Sequence, residues 1–266
     1  MDLAVVVIHG IGSSGPGYAD GFRAAVSDRL GADAARVAWA PVLWSDVLGP
    51  RQAAYLERAR TQARLDWLKL RGFVVEGLGD AAAYSFVDQP TGTYVAVHDR
   101  IRRRVRELWT GELNRTPVPM VVLAHSLGSH VISSYIWDTQ KGKPTGADPA
   151  SSPFERMEWL AGMITFGSTI PLFTFAYDPV TPIAFPGAAL PAAVRNRARW
   201  LNYYDADDVL GYPLKPLSPE YDAVVDADVV IDVGGLGISM TPLSHGEYWE
   251  DRGFVRPVAE YLAGLL

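Results

Sequence analysis

The 266-residue sequence contains no cysteine. That excludes a disulfide framework and a thiolate metal site, and it leaves the redox compartment unmarked. Basic charge is also not in excess: Lys and Arg number 24 against 30 Asp and Glu, a net charge of −6. The one dense basic run, Arg100 to Arg106, reads as the polar face of a helix, so nucleic-acid binding has little support. Long hydrophobic runs are missing too. The N-terminal apolar stretch from Leu3 to Ile8 has no basic region before it and is too short for a signal-peptide core or a membrane span. The expectation is a cytoplasmic protein with no transmembrane segment. No internal repeat or low-complexity block interrupts the chain, which predicts a single domain, 1–266, with a sizeable core.

What the sequence does have is a series of short apolar runs separated by helical patterns. Leu3 to Ile8, Arg36 to Ala40 (stopping at Pro41), Met120 to Leu123, Leu160 to Phe166, Ala198 to Tyr204 and Val229 to Val233 read as strands. Unbroken apolar runs of this length belong to parallel strands covered on both faces. Between and after them, Tyr18 to Leu30, Tyr94 to Trp109 and Val255 to Leu266 carry apolar residues at helical spacing; in the second, Val97, Ile101, Val105 and Leu108 point inward and the arginines outward. The pattern predicts an α/β fold with a mostly parallel, doubly wound sheet. Residues 44–92 depart from the alternation, with a long helical pattern from Gln52 to Leu70 that is too apolar for a solvated insert. Two readings stand for them: a helical cap or lid over the C-terminal strand edge, where α/β sheets bind ligands, or ordinary helices packed against the side of the sheet.

The run from Met120 stops at Ala124-His-Ser-Leu-Gly128, and a helical pattern follows. A strand that turns directly into a helix needs small residues two before and two after the turn residue, and Ala124 and Gly128 meet that need. Such a turn strains the backbone of Ser126, lifts its hydroxyl above the sheet edge and aims the first helical N–H groups at the same spot. Ser126 is therefore the candidate nucleophile. At the end of the first run, His9-Gly10-Ile-Gly12 can supply a backbone donor from Gly10 or Ile11. With the N–H of Leu127 it would form an oxyanion hole, in which one donor contributes about 3 kcal/mol to the transition state.

Later in the chain an acidic cluster, Asp205-Ala-Asp-Asp208, follows one strand and His245 follows the last. A serine hydroxyl is a weak nucleophile at neutral pH. It needs an imidazole to take its proton and a carboxylate to fix the imidazole's tautomer, and the chain order Ser, Asp, His is the one that α/β-hydrolases use. The other histidines have simpler roles: His9 and His125 in packing or hydrogen bonding beneath the site, His130 inside the helix after the turn, and His98 as a structural or surface residue. Neither His pair has the carboxylate spacing of a zinc site, so no metal and no cofactor is expected.

Four segments together resemble α/β-hydrolases of the lipase and esterase type: Val6-Val-Ile-His-Gly-Ile-Gly12, Ala124-His-Ser-Leu-Gly128, Trp200-Leu-Asn-Tyr-Tyr-Asp-Ala-Asp-Asp208 and Ser244-His-Gly-Glu-Tyr-Trp249. Within that superfamily, Asp208-Val-Leu-Gly-Tyr-Pro-Leu-Lys-Pro-Leu217 is similar to the Asp-Pro-Val-Ala-Tyr-Arg-Leu-Glu-Pro-Leu segment of DDHD-domain phospholipases, which implies Asp208 as the triad acid. Asp207 stays open as the alternative acid, because many lipases have an acid followed by any residue and two aliphatics, as in Asp207-Asp-Val-Leu210. The resemblance implies a serine hydrolase acting on a small-molecule ester or lipid-like substrate through Ser126, His245 and Asp208. Hydrolysis of amides, thioesters or peptides by the same machinery, or a binding protein that keeps the fold without catalysis, are the other readings. Nothing in the pattern sets an oligomeric state. If 44–92 and the Pro-rich 170–191 segment roof the site, Trp44, Tyr55, Trp67, Phe173 and Phe175 are available to wall an acyl chain.

Overall fold

The computed structural model describes residues 1–12, 14–62, 68–85, 92–145, 150–234 and 244–266. Among the described residues six strands form one sheet: β1 (Leu3–Ile8), β2 (Val37–Val42), β3 (Met120–His125), β4 (Leu160–Phe166), β5 (Arg199–Tyr204) and β6 (Ala227–Val230). Their order is β2-β1-β3-β4-β5-β6, and every neighbouring pair is parallel. The predicted parallel sheet is thus present and consistent with the α/β-hydrolase class. All residues of β1, β3 and β4 are buried, the physical reason these strands read as unbroken apolar runs. Pro41 does not end β2 as expected but lies within it, tolerated because β2 is an edge strand with no ladder bond to lose on its outer side.

The chain leaves β1 for β2 on one side and returns for β3 on the other, so the winding direction reverses between β1 and β3. At such a switch point the connections diverge and leave a crevice beyond the strands' C-terminal ends. The helices among the described residues are α1 (Asp20–Leu30), α2 (Gly49–Gln62), α3 (Leu68–Tyr84), α4 (Thr93–Thr110), α5 (Leu127–Gln140), α6 (Ile170–Thr174), α7 (Ala192–Arg195), α8 (Pro219–Val224) and α9 (Arg252–Leu265). Side chains alternate across each strand. Leu3, Val5 and Val7 of β1 join Phe22 and Val26 of α1 and Phe254, Val258 and Leu262 of α9 in one core layer. Ala4, Val6 and Ile8 join Val97, Ile101 and Val105 of α4 and Val131 and Tyr135 of α5 in the other.

The inward row of α4 is the one its spacing predicts, but its arginines do not all face out. Arg102 is 1% exposed and pairs with Asp99 one turn before it; a buried guanidinium is tolerable only with such a partner. In the 44–92 region, α3 is the helix that reaches the strand edge: a Cβ at Gly77 would meet Ile11 Cδ1 at 2.9 Å, and Asp80 accepts the Gly12 N–H at 3.1 Å. Gln52 of α2 donates to Asp80 at 2.8 Å and ties the two helices together. The expected roof is only partly made of the named aromatics. Trp44 is fully buried in the core against His9, while Tyr55 and Phe175 are 54% and 80% exposed. Trp67 lies outside the described residues. No helix among the described residues is long and apolar enough to cross a membrane.

The tightest joint in the fold is between α5 and β1. A Cβ on Gly128 would sit 2.4 Å from the His9 carbonyl oxygen and 3.0 Å from that of Ile8. Glycine to alanine inside a helix ordinarily stabilises by roughly 0.5–1 kcal/mol. Here Gly128→Ala is predicted to destabilise by about 1–3 kcal/mol, because two backbone segments must part. Urea unfolding of the purified variant checks the sign.

Candidate active site

Ser126 is held between β3 and α5 with φ 52° and ψ −129°, a conformation that only strain-tolerant contexts allow a residue with a side chain. Its N–H donates to Phe166 O of β4 at 3.0 Å, and Ser129 Oγ donates back to Ser126 O at 2.6 Å while meeting Ser168 Oγ at 2.8 Å. The turn is therefore anchored to the neighbouring strand on one side and to its own helix on the other. The hydroxyl faces the switch point between β1 and β3.

His245 Nε2 lies 2.6 Å from Ser126 Oγ, and His245 Nδ1 lies 2.8 Å from Asp208 Oδ2. A carboxylate only accepts, so Nδ1 carries the hydrogen, and Nε2 is left to accept from the serine hydroxyl. Ser126, Asp208 and His245 are all buried. Burial works to raise the pKa of Asp208. The hydrogen bond and charge of His245, the Leu210 N–H and the Tyr248 hydroxyl outweigh it and hold the carboxyl below its ordinary value. Leu210 N–H donates to Oδ1 at 2.9 Å and Tyr248 O–H to Oδ2 at 2.9 Å. Two glycines make room for this carboxylate. A Cβ at Gly211 would be 2.5 Å from Asp208 Oδ2, and one at Gly167, where φ is +53°, would press on both His245 Cε1 and Asp208 Oδ2.

Asp207 is exposed and away from the imidazole. Its N–H donates to Asp205 Oδ1 at 2.8 Å, and Asp205 Oδ2 accepts from Val233 N–H at 2.8 Å. Asp205 thus shapes the loop that presents Asp208. Among the sequence's candidate acids, the structure brings Asp208 alone to His245.

Gly10 passes directly over the nucleophile: a Cβ there would fall 2.6 Å from Ser126 Cβ and 3.2 Å from Oγ. Leu127 is the first residue of α5, where helical N–H groups have no partner within the helix. His9 fixes the Gly10 loop. Its Nδ1–H donates to Gly10 O at 2.8 Å, its Nε2 accepts from Trp44 N–H at 3.1 Å, and Trp44 Nε1–H returns a bond to His9 O at 2.9 Å. Burial pushes the His9 pKa down to about 4, so the ring stays neutral and both nitrogens keep their roles. Because the peptide is planar and trans, holding Gly10 C=O toward His9 turns the Ile11 N–H to the opposite side.

His125 is also a scaffold residue. Burial and the neighbouring His245 push its pKa well down, and its Nε2–H donates to the backbone carbonyl of His245 at 2.8 Å. His130 is stacked on Phe173 with ring centroids 4.2 Å apart and does not reach the hydroxyl. His98 is buried, its Nε2 2.8 Å from Tyr84 Oη. Tyr248 escaped the sequence reading. The signal for it was its place three residues after His245 on one short helical turn, where both side chains point the same way. Among the described residues no cluster of His, Asp and Glu is arranged to hold a metal ion.

No family model matches the chain, and no curated protein matches it. Among solved structures the chain is similar to the crystal structure of TT1662 from Thermus thermophilus, with 12% identity and a TM-score of 0.38 over 99% of this chain and 89% of that one. That similarity is too slight to bear on the site.

Tyr248 links two acids, since it donates to Asp208 and accepts from the Asp205 N–H at 2.9 Å. Ionised Asp208 contributes stability that is fully present above its unfolded pKa near 3.8 and is lost as pH falls through its lower folded value. Tyr248→Phe should raise that folded value and so shrink the contribution. The expected outcome is a loss of about 1–3 kcal/mol at neutral pH with a shallower fall of stability in acid, read by urea titration across the acid range.

Proposed function

We propose that the protein is a serine hydrolase that cleaves carboxylic esters through an acyl-enzyme. The observation that carries the reading is the unbroken relay from Ser126 Oγ through His245 to Asp208, with contacts of 2.6 and 2.8 Å, on a serine whose backbone is held at positive φ. In this reading Ser126 attacks the ester carbonyl while His245 Nε2 takes its proton. Asp208 supports the imidazolium and keeps Nδ1 protonated throughout. The N–H of Leu127, with that of Gly10 or Ile11, receives the negative oxygen of the tetrahedral intermediate. His245 then protonates the departing alkoxide. Water enters, gives a proton to His245 and attacks the acyl carbon; collapse of the second intermediate returns the proton to Ser126 and frees the acid. Nothing in this cycle calls for a cofactor.

A fluorophosphonate probe tests the reading directly. Wild-type protein should be labelled covalently at Ser126, and Ser126→Ala should be unlabelled while remaining folded. Folded wild type that neither reacts with the probe nor turns over an activated ester would overturn it. With p-nitrophenyl acetate, Ser126→Ala and His245→Ala should each lower kcat by roughly 10⁴-fold or more, with little further loss when combined, because the two act as a unit. Asp208→Asn should also be severe, since an amide in that place favours the wrong tautomer. Asp207→Asn, at an exposed position, should stay within about twofold of wild type.

A further inference from the structure

A cavity of about 800 Å³ lies on the α4/α5 face of the sheet, its lining on α5 beginning at His130, four residues after Ser126, and its volume falls within the range of about 300–1,000 Å³ that small-molecule sites occupy. Its lining does not include the triad, yet its three walls all start there. One wall is α5, whose N-cap is Ser126. Residues 130, 133 and 137 follow 126 at intervals of four, three and four along one helical face, and His130, Ser133 and Trp137, with Ser134 beside them, line the cavity. The second wall is the segment after Gly167, the residue pressed against His245 and Asp208; it contributes Ile170, Phe173, Val180 and Ile183. The third is α3, which touches Ile11 at Gly77 and ends in the cavity at Tyr84. Rings from all three walls meet around His130, stacked on Phe173 at 4.2 Å and edge-on to Tyr84 at 5.6 Å. His130 is the lining residue of α5 nearest Ser126 along the helix.

We propose that this cavity holds the acyl chain of the ester, making the substrate one with a medium-length apolar acyl group that threads past His130 and Phe173; the assignment rests on the ester-hydrolase reading. The leaving oxygen must lie against His245 Nε2 to receive its proton. His245 stands on a helical turn, Ser244–Trp249, that packs on the opposite face, where Trp249 meets the edges of Tyr18 and Phe22. The alcohol arm therefore leaves on that side and the acyl arm points to the cavity. Two of the four tyrosines that line the cavity have their hydroxyls satisfied from within: Tyr84 reaches His98, and Tyr94 donates to Asp138 at 2.8 Å. Their ring faces are left for apolar contact. The far end changes character, with Asp138 and Lys143 3.8 Å apart. The apolar length between His130 and Trp137 is about 10 Å along the helix axis, so binding gains stop at a medium chain.

The test is the kcat/KM series for p-nitrophenyl esters from acetate to laurate. In wild type it should rise by up to about fourfold per methylene and then break off at a medium length. Ser133→Phe, which narrows the cavity one turn past His130, should cut the decanoate value by about tenfold or more and leave acetate within about twofold. Trp137→Ala, which enlarges the far end, should move the optimum to longer chains. Equal fluorophosphonate labelling rates with a short-chain probe check that each variant is folded with an intact triad. Active variants whose chain-length profiles coincide with wild type would overturn the cavity assignment and leave the hydrolase reading standing. If wild type is inert to every ester and to the probe, the hydrolase reading fails instead. Calorimetric binding of decanoate to wild type, abolished in Ser133→Phe, would then still support an apolar-chain site, and absence of that binding would sink it as well.

Discussion

The close approach of α5 to the end of β1 is the constraint on which the site depends. The His9 and Ile8 carbonyls occupy the space a side chain at residue 128 would need, so the helix after Ser126 can dock only with glycine there. That docking brings Gly10 over the Ser126 side chain. It also puts the strained serine at the point where the winding of the sheet reverses, the place where an α/β sheet has room for a ligand. The strain at Ser126 is held by bonds from a neighbouring strand and from the first turn of its own helix, so it does not relax.

Electrostatics then assigns different work to chemically identical side chains. His9, His125 and His245 all stand near Ser126. His9 and His125 are desolvated, held neutral and bonded to backbone groups, so they act as rigid props: one orients the Gly10 loop, the other holds the backbone of His245. His245 alone spans a hydroxyl and a carboxylate. The acceptor capacity of Asp208 is taken up by an imidazole, a backbone N–H and a phenol, which is why this carboxyl stays ionised in spite of its burial.

Under the proposed function the sheet also separates the two arms of the ester. His245 arrives supported by the α1/α9 layer, and the cavity opens on the α4/α5 layer, with Ser126 at the boundary. Under the proposed function, proton transfer to the leaving group and binding of the acyl chain are thereby handled by different layers of the protein. Changes in the cavity can alter which acid is accepted without touching the relay.

β1 to β5, the α1, α4 and α9 helices and the sharp turn at Ser126 were legible in the sequence, because each depends on short-range regularities: unbroken apolar runs, helical spacing and small residues at a turn; the last strand, expected at Val229–Val233, lies instead at Ala227–Val230, a half-exposed edge strand with no unbroken apolar run to mark it. The order of serine, acid and histidine was legible for the same reason, since each follows its own strand. The choice between Asp207 and Asp208 was not, because adjacent residues share one local pattern and only the bond to a histidine 37 positions away separates them. The burial of Arg102 depends on Asp99 and on what covers α4, and the exposure of Tyr55 and Phe175 depends on which way α2 and the segment after α6 face. The part of Tyr248 depends on a carboxylate 40 residues earlier in the chain. Periodicity records that a residue is apolar or polar; only the packed structure decides what it meets, since contacts among distant segments exist only once the layers close.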